Sequence, residues 1–485
     1  MSAYSPLLRP LFATPLLALL AGCASVGPNW HGAPVAAPDA AARPAFLRAP
    51  VGAETATPAP RWWETLGDPV LDDLITRALA GSPDLAAAQA RIAQSRATLS
   101  VAKGALAPSA SVGALAGEAS LPGSLLSRNG RLSEQVYGDN FQASWELDLF
   151  GANRRRVEAA RDRADATVAS AADVAVSLSA EVARAYVALR AEQASAAVLE
   201  RQLDCDRRLL GHAQDRFAHG TVSDQSVDSA RSALAQSESD LADARAQITV
   251  LADQLAVLIG REPGALDGLV AKPAPVPLVP AHVAVGDPAR LLRNRPDIRL
   301  AERQLAAANA DLGARIADRF PSISFTGILG LGGTNVGEAF APGSLIGLIV
   351  PQIKWSLFDG GRLAAQERAA HGARDEAEAN YRSHVLAALQ DAEGSLTRFG
   401  SQRITLAKAV EQHDAATHLA ALQTNRAYGG TLSRADALSA ERQALRAQLG
   451  TLSATAQLTT DFIAVEKALG LGWEGGSEQR GVRQE

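Results

Sequence analysis

The 485-residue chain has room for two or three ordinary domains, and its net charge of −5 leaves no basic footprint for nucleic acid. Apolar residues make up 47% but aromatics only 5%, with Ala and Leu supplying much of the apolar share. Such an Ala-rich, charge-decorated chain suits long helices and argues against a sandwich or an α/β core.

Chain order begins with a targeting signal. Arg9 precedes an apolar run, Leu11 to Leu20, too short for a mature span of roughly 20 residues and fitted to a secretory signal. The run ends in Leu20-Ala21-Gly22-Cys23, a bacterial lipobox. It predicts a leader over 1–22, cleavage before Cys23 and lipid on its thiol. The residues after Cys23 carry no acidic retention signal, which by analogy with other lipoproteins directs the chain to the outer membrane, in contact with its lipid. One acylated terminus anchors only moderately. No later segment has the length and apolarity of a transmembrane helix, so any spanning structure must be a β-barrel. With Cys23 so assigned, Cys205 reads as a small buried packing residue, not half of a disulfide.

The stretch 23–66 is rich in Ala, Pro and Gly and reads as extended. Two repeats follow, expected over 67–262 and 287–472. Trp145-Glu-Leu-Asp-Leu-Phe150-Gly151 recurs as Trp355-Ser-Leu-Phe358-Asp-Gly360-Gly361, and Arg216-Phe-Ala-His-Gly220-Thr221-Val-Ser223 as Arg426-Ala-Tyr-Gly-Gly430-Thr431-Leu-Ser433, both 210 residues on. Ser82-Pro83-Asp84-Leu85 and Ala107-Pro108-Ser109 recur 213 residues on, as Arg295-Pro296-Asp297-Ile298 and Phe320-Pro321-Ser322. Segments in one order at a nearly fixed offset signify a duplication. Between the repeats, 263–286 carries Pro273, Pro275, Pro277 and Pro280 and reads as an extended linker; 473–485 reads as a flexible tail.

Within each repeat, Asp68-Pro69 and Asp287-Pro288 are helix starts, an Asp N-cap before Pro in the first turn. Helical pattern runs from about Pro69 to Ala107 and from Pro288 to Phe320, with breaks expected at Pro83 and Pro296. After Pro108 and Pro321 the period becomes two. Phe141, Ala143, Trp145, Leu147 and Leu149 alternate with Gln142, Ser144, Glu146 and Asp148, and similar alternation follows Ser322 and reaches Leu357. Such strands, joined by loops expected over Glu118–Asp139 and Gly333–Ser344, carry the transmembrane barrel signature, although a soluble sandwich with one wet face shares the periodicity. Two hairpins cannot close a barrel, so a lipidated chain with four such strands points to several chains sharing one. Gln142, Ser144, Glu146 and Asp148 are then the barrel-interior lining.

Long helices come next. Ala152 to about Ala218 and Arg362 to Tyr428 contain no proline and few glycines, and at 1.5 Å per residue each is roughly 100 Å long. Turns at Gly220–Ser223 and Gly430–Ser433 lead into return helices, the second with Ser433 and Asp436 in a capping arrangement. In the first, Val227, Leu234, Leu241, Ile248 and Leu255 recur every seven residues, a coiled-coil seam. Arg154-Arg155-Arg156 reads as a solvated helix start. Gly327–Gly333 is a glycine-rich strand end and not a nucleotide loop, since no helix opens after it. No metal cluster or nucleophile motif appears: neither cofactor nor enzymatic chemistry is expected.

These residues resemble the TolC-like outer-membrane efflux channels, in their NodT-type lipoprotein branch. The resemblance is carried by Val26-Gly27-Pro28-Asn29-Trp30, Trp62-Trp63 with Leu66-Gly67-Asp68-Pro69, Trp145 to Gly151, Arg295 to Ile298, Phe320 to Ile323 and Phe358 to Arg362, over nearly the whole chain. It implies a mainly α fold with membrane β: a duplicated helix–β-hairpin–long helix–helix repeat, in a homotrimer sharing a twelve-stranded β-barrel and a periplasmic α-helical barrel. It implies the exit duct of a tripartite efflux system, with a periplasmic adaptor and an inner-membrane pump, often proton-driven. It also implies an iris-like gate at the helix-turn tips, where Asp224, Asp228, Arg434 and Asp436 are the candidate charges. This chain has Leu432 and Ser439 where some relatives carry aspartates. The alternatives are a duct for type I protein secretion and a non-conducting lipoprotein scaffold.

Overall fold

The computed structural model describes residues 25–122, 131–339 and 341–473. Cys23 and the leader lie outside them, as does most of the expected tail. Described residues up to Pro34, with Arg91–Thr167 and Leu300–Tyr381, form one compact unit; Val35–Ala90, Val168–Arg299 and Arg382 onward form a second.

The first repeat runs α1 (Pro69–Gly81), α2 (Pro83–Gly104), β1 (Ser109–Pro122), β2 (Arg131–Leu147), α3 (Ala152–Ala218), α4 (Asp224–Leu258). The second runs α5 (Pro288–Asn294), α6 (Pro296–Ala317), β3 (Ser322–Gly333), β4 (Leu345–Lys354), α7 (Arg362–Tyr428), α8 (Arg434–Ala468). The duplication is structural: α2 and α6 have 22 residues each, α3 and α7 have 67, and α4 and α8 have 35.

Local chemistry sets these boundaries. The Asp68 carboxylate accepts from the N–H groups of Val70 and Leu71, and Asp287 from that of Arg290, so both entry helices are capped as expected. Ser82 and Arg295, each held extended before a proline, break the helical runs. Each long helix ends on a left-handed glycine: Gly220, Gly260, Gly430 and Gly470, with φ from +68° to +74°. In each case the glycine N–H and the following N–H bond back to two of the last carbonyls, as Gly220 does to Phe217 and Thr221 to Arg216. This Schellman closure stops the helix at a position only glycine adopts without strain.

One antiparallel sheet holds the strands in the order β1-β2-β3-β4, so the pairing of β2 with β3 joins the two repeats. Both outer strands leave an open edge. The register gathers Val112, Phe141, Trp145, Phe325, Leu329, Ile349 and Ile353 on one face, with Val112 80% and Ile349 78% exposed. The other face is polar toward the helical end, with Ser109, Ser111, Gln142, Ser144, Glu146, Ser324, Thr326, Gln352 and Lys354, and carries Leu115, Ile328, Ile346, Leu348 and Val350 further along. Gly330 allows this pairing, because a Cβ there would lie 2.3 Å from the Asp139 carbonyl oxygen. The first hairpin reaches further than its pattern suggests: Glu118 and Asp139, expected in a loop, are paired strand residues, and the ladder continues to Pro122 opposite Arg131. The extension is polar, so apolar alternation fades while backbone pairing persists. The second hairpin's loop instead carries two short helical turns, Val336–Ala339 and Pro342–Ser344.

Trp145 and Trp355 close the sheet in equivalent ways: their indole N–H groups donate to the carbonyls of Leu106 (3.1 Å) and Arg319 (3.2 Å). Trp355 itself lies beyond β4, which ends at Lys354. Replacing either indole by Phe is expected to cost about 1 kcal/mol or less, one net hydrogen bond, read as a small fall in melting temperature of the purified protein.

The second unit is packed around Trp62, Leu71, Leu74, Ile75, Tyr186, Leu255, Leu291, Phe399 and Phe462, all essentially inaccessible. Trp62 meets Trp63 and Phe462 edge-on. α3 contains an 18-residue window apolar enough to span a membrane by length and composition, contrary to the expectation that none follows the leader; 61% of that window is buried inside the protein, so its apolarity serves packing. Within this unit Ala53–Glu54 pairs in parallel with Val283–Ala284, tying the N-terminal stretch to the linker. Neither is wholly extended, since Pro38–Ala41 and Asp267–Val270 are one-turn helices and Trp62–Leu66 a 3-10 turn.

Candidate functional site

The two helix-turn tips are built alike. Thr221 and Thr431 each bond through both backbone N–H and side-chain hydroxyl to the carbonyl of an arginine, Arg216 or Arg426. Ser433 then caps α8, its hydroxyl accepting from the Asp436 N–H at 3.1 Å and donating to the Asp436 carboxylate at 2.6 Å. Ser223 starts α4 without such a bond.

All four charges singled out at the tips are exposed. Asp228 pairs with Arg231 one turn on, at 2.6 Å, and Asp436 is engaged by Ser433. Asp224 and Arg434, each first in its helix, make no ion pair among the described residues. No salt bridge links one tip to the other among those residues.

Behind the tips the helices interlock. α3 packs on α4 through Ala196, Leu199, Leu203, Leu241 and Ala244, with Leu234 and Ile248 against them. It packs on α8 through Val198, Cys205, Leu438 and Leu445. α7 meets α8 through Ala416, Ala420, Ala440 and Ala444. Cys205 is buried as expected; its thiol donates to the Leu438 carbonyl at 3.2 Å, and burial pushes its pKa up to about 11, leaving it inert.

One feature of this seam escaped the sequence reading. Asp206, 1% exposed on α3, accepts from the Ser237 hydroxyl of α4 at 2.6 Å and from the Arg442 guanidinium of α8 at 3.2 Å. Gln202 donates to Ser237 at 3.0 Å. A buried carboxylate thus ties three helices together. The signal was present: Ser237 occupies the seam position between Leu234 and Leu241, where a polar residue calls for a partner.

At the sheet, Gln142, Ser144 and Glu146 share the polar face described above. Asp148 lies past the end of β2, and its carboxylate accepts from the N–H groups of Asn153 and Arg154 and pairs with the Arg154 side chain, so it starts α3. Asp359 does the same for α7 with the N–H groups of Leu363 and Gly361, which hold its carboxyl below the usual range. The arginine triplet is not a uniformly solvated helix start. Arg154 and Arg156 are exposed, while Arg155 is buried.

A family model described as "Outer membrane efflux protein" matches residues 74–261 and 288–471. The nodulation protein T of Rhizobium leguminosarum bv. trifolii is 27% identical over 468 residues, covering 95% of this chain and 97% of its own. A pyoverdine export outer membrane protein of Pseudomonas putida is 30% identical over 498 residues, covering 97% and 99%. The solved structure of the outer-membrane channel OprN superposes with a TM-score of 0.82 at 29% identity, covering 93% of this chain and all of that one. With its duplicated helical hairpins and its four-stranded sheet, the chain belongs to the outer membrane efflux protein family, a family of TolC-like outer-membrane export channels and not of enzymes.

Proposed function

We propose that three copies of this chain form the exit duct of a tripartite efflux system, a passive conduit that carries small toxic compounds from a periplasmic adaptor and an inner-membrane pump to the exterior. The sheet carries this reading. It has one exposed apolar face, an opposite face that is polar toward its helical end and two unpaired edges, and four strands are too few to close on themselves. Strands from three chains would close a twelve-stranded barrel with the apolar face toward lipid and Gln142, Ser144 and Glu146 toward water. The paired long helices would continue the conduit through the periplasm. Asp224, Asp228, Arg434 and Asp436 would line its closed end, where a ring of carboxylates favours cations. Energy would come from the pump, a proton-driven one, so the duct itself needs no cofactor. Relatives named for toluene efflux and pyoverdine export support small molecules as cargo.

Electron microscopy of the detergent-extracted protein tests the assembly: a hollow three-fold particle is expected, and a monomer without a lumen would sink the reading. A deletion strain tests the cargo. It should become sensitive to drugs and solvents, whereas loss of a secreted protein with unchanged sensitivity would favour type I secretion.

A further inference from the structure

The described residues after Cys23, from Ser25 on, are held in place. The Val26 N–H donates to the Phe150 carbonyl at 3.1 Å, just past β2. Arg155, 4% exposed in the first turns of α3, donates to the carbonyls of Val26 (3.4 Å) and Gly27 (3.3 Å) and to the Asn29 side chain (2.6 Å), while Glu158 at 2.8 Å balances its charge. From α6, Asn309 donates to the Pro28 carbonyl at 3.2 Å. Three glycines permit the close fit. A Cβ on Gly27 would lie 2.6 Å from the Gly313 α-carbon, one on Gly151 would lie 2.7 Å from the Ser25 hydroxyl, and one on Gly313 would press on Arg155 at 3.0 Å. Gly27 and Gly151 also sit at φ +89° and +84°, where a side chain would be strained.

We propose that Arg155 is a positioning residue that clamps the lipid-bearing terminus against the periplasmic end of the sheet, so that acyl chains and barrel strands enter the same leaflet together. This rests on the reading of Cys23 as the lipidated residue. The physical case is one of tether length. Cys23 is two residues from Ser25, which packs on Gly151, and two residues span at most roughly 7 Å, so chain length alone ties Cys23 to that end of the sheet. A short, fixed tether keeps the membrane's effective concentration at the strand ends high; a slack one dilutes it. Three of the four hydrogen bonds of this buried arginine go to residues 26–29, so its main work is to hold that segment.

The test is a double-variant cycle in whole cells, scoring assembled oligomer in the outer-membrane fraction. Arg155→Ala and Gly27→Val, the second blocking the clamp from the terminus side with Arg155 intact, are each made in the natural chain. Both are also made in an unacylated chain carrying Cys23→Ser behind a non-lipoprotein signal peptide. Palmitate labelling monitors lipidation. In the acylated chain each variant is expected to lower assembled oligomer roughly fivefold with labelling retained, and Arg155→Lys, which keeps charge but not the fork, should fall between. In the unacylated chain neither should have any further effect. Equal losses in both backgrounds would make the contact merely structural and overturn the proposal, as would no loss in either. Absence of label from the unmodified chain would instead refute the lipidation reading.

Discussion

Replacing Asp206 by alanine is expected to destabilise the helical seam by about 3 kcal/mol and to raise the resting conductance of the channel. The substitution leaves the Ser237 hydroxyl without its acceptor inside the packed seam and the Arg442 guanidinium without its carboxylate. Arg442 is partly exposed and can turn to water, so the loss falls at the low end of what breaking a buried charge pair costs. Asp206 is on α3 and Arg442 on α8, so the contact holds the first hairpin to the second just behind the tips. The checks are a lower melting temperature of the detergent-solubilised protein and larger closed-state currents in planar bilayers. Asp206→Asn should lose less. A triple replacement, Asp206→Leu with Arg442→Met and Ser237→Ala, should restore stability, because an apolar set of similar size leaves no charge or hydroxyl to desolvate. An alanine variant with an unchanged melting temperature and unchanged currents would refute the latch.

Glu466 predicts a pH effect of comparable or greater size. Its carboxyl is fully buried on α8, one oxygen has no hydrogen-bond partner among the described residues, and burial pushes its pKa from 4.5 up to about 8. The folded chain therefore keeps this proton where the unfolded chain has released it. Stability from this group is complete below about pH 4.5, declines as pH rises toward 8, and is level above that. At about 1.4 kcal/mol per pKa unit the decline amounts to several kcal/mol. Melting curves between about pH 5 and about pH 9 should slope downward for the natural protein and lose that slope in Glu466→Gln. Parallel slopes for the two proteins would show that Glu466 titrates normally.

Much of this architecture was legible because its signals are local and repeated. Pro83 and Pro296 break the helical runs, Asp68 and Asp287 cap them, and the long helices lie inside proline-free runs. Glycine marks the ends of all four long helices, and at Gly220 and Gly430 the flanking repeat makes the turn plain. The reach of β1 and β2 was not legible, because polar strand beyond an apolar band has no pattern to distinguish it from loop. The contacts of the site residues were hidden for a different reason. Charge at a tip is visible in sequence, but Asp228 and Asp436 prove to be satisfied by their own helices, and Asp148 by the start of the next. Residues that join elements include Asp206, Ser237 and Arg442 in the seam and Arg155 at the terminus. Each is an ordinary polar residue in its own neighbourhood, and its partners lie far away along the chain.

The two 67-residue helices are equal in length but not in surroundings. α3 is buried along much of its course, whereas α7 leaves Leu386, Ile404, Leu419 and Leu422 exposed, and the sheet leaves both of its edges bare. A lone chain of this kind is an unfinished object with no safe resting state, since the same surfaces that need neighbours also invite the wrong ones. Its production and its insertion must therefore be matched in time. In the trimer proposed above, a defective copy that kept intact edges would be worse than a missing one, because it would recruit sound copies and disable them.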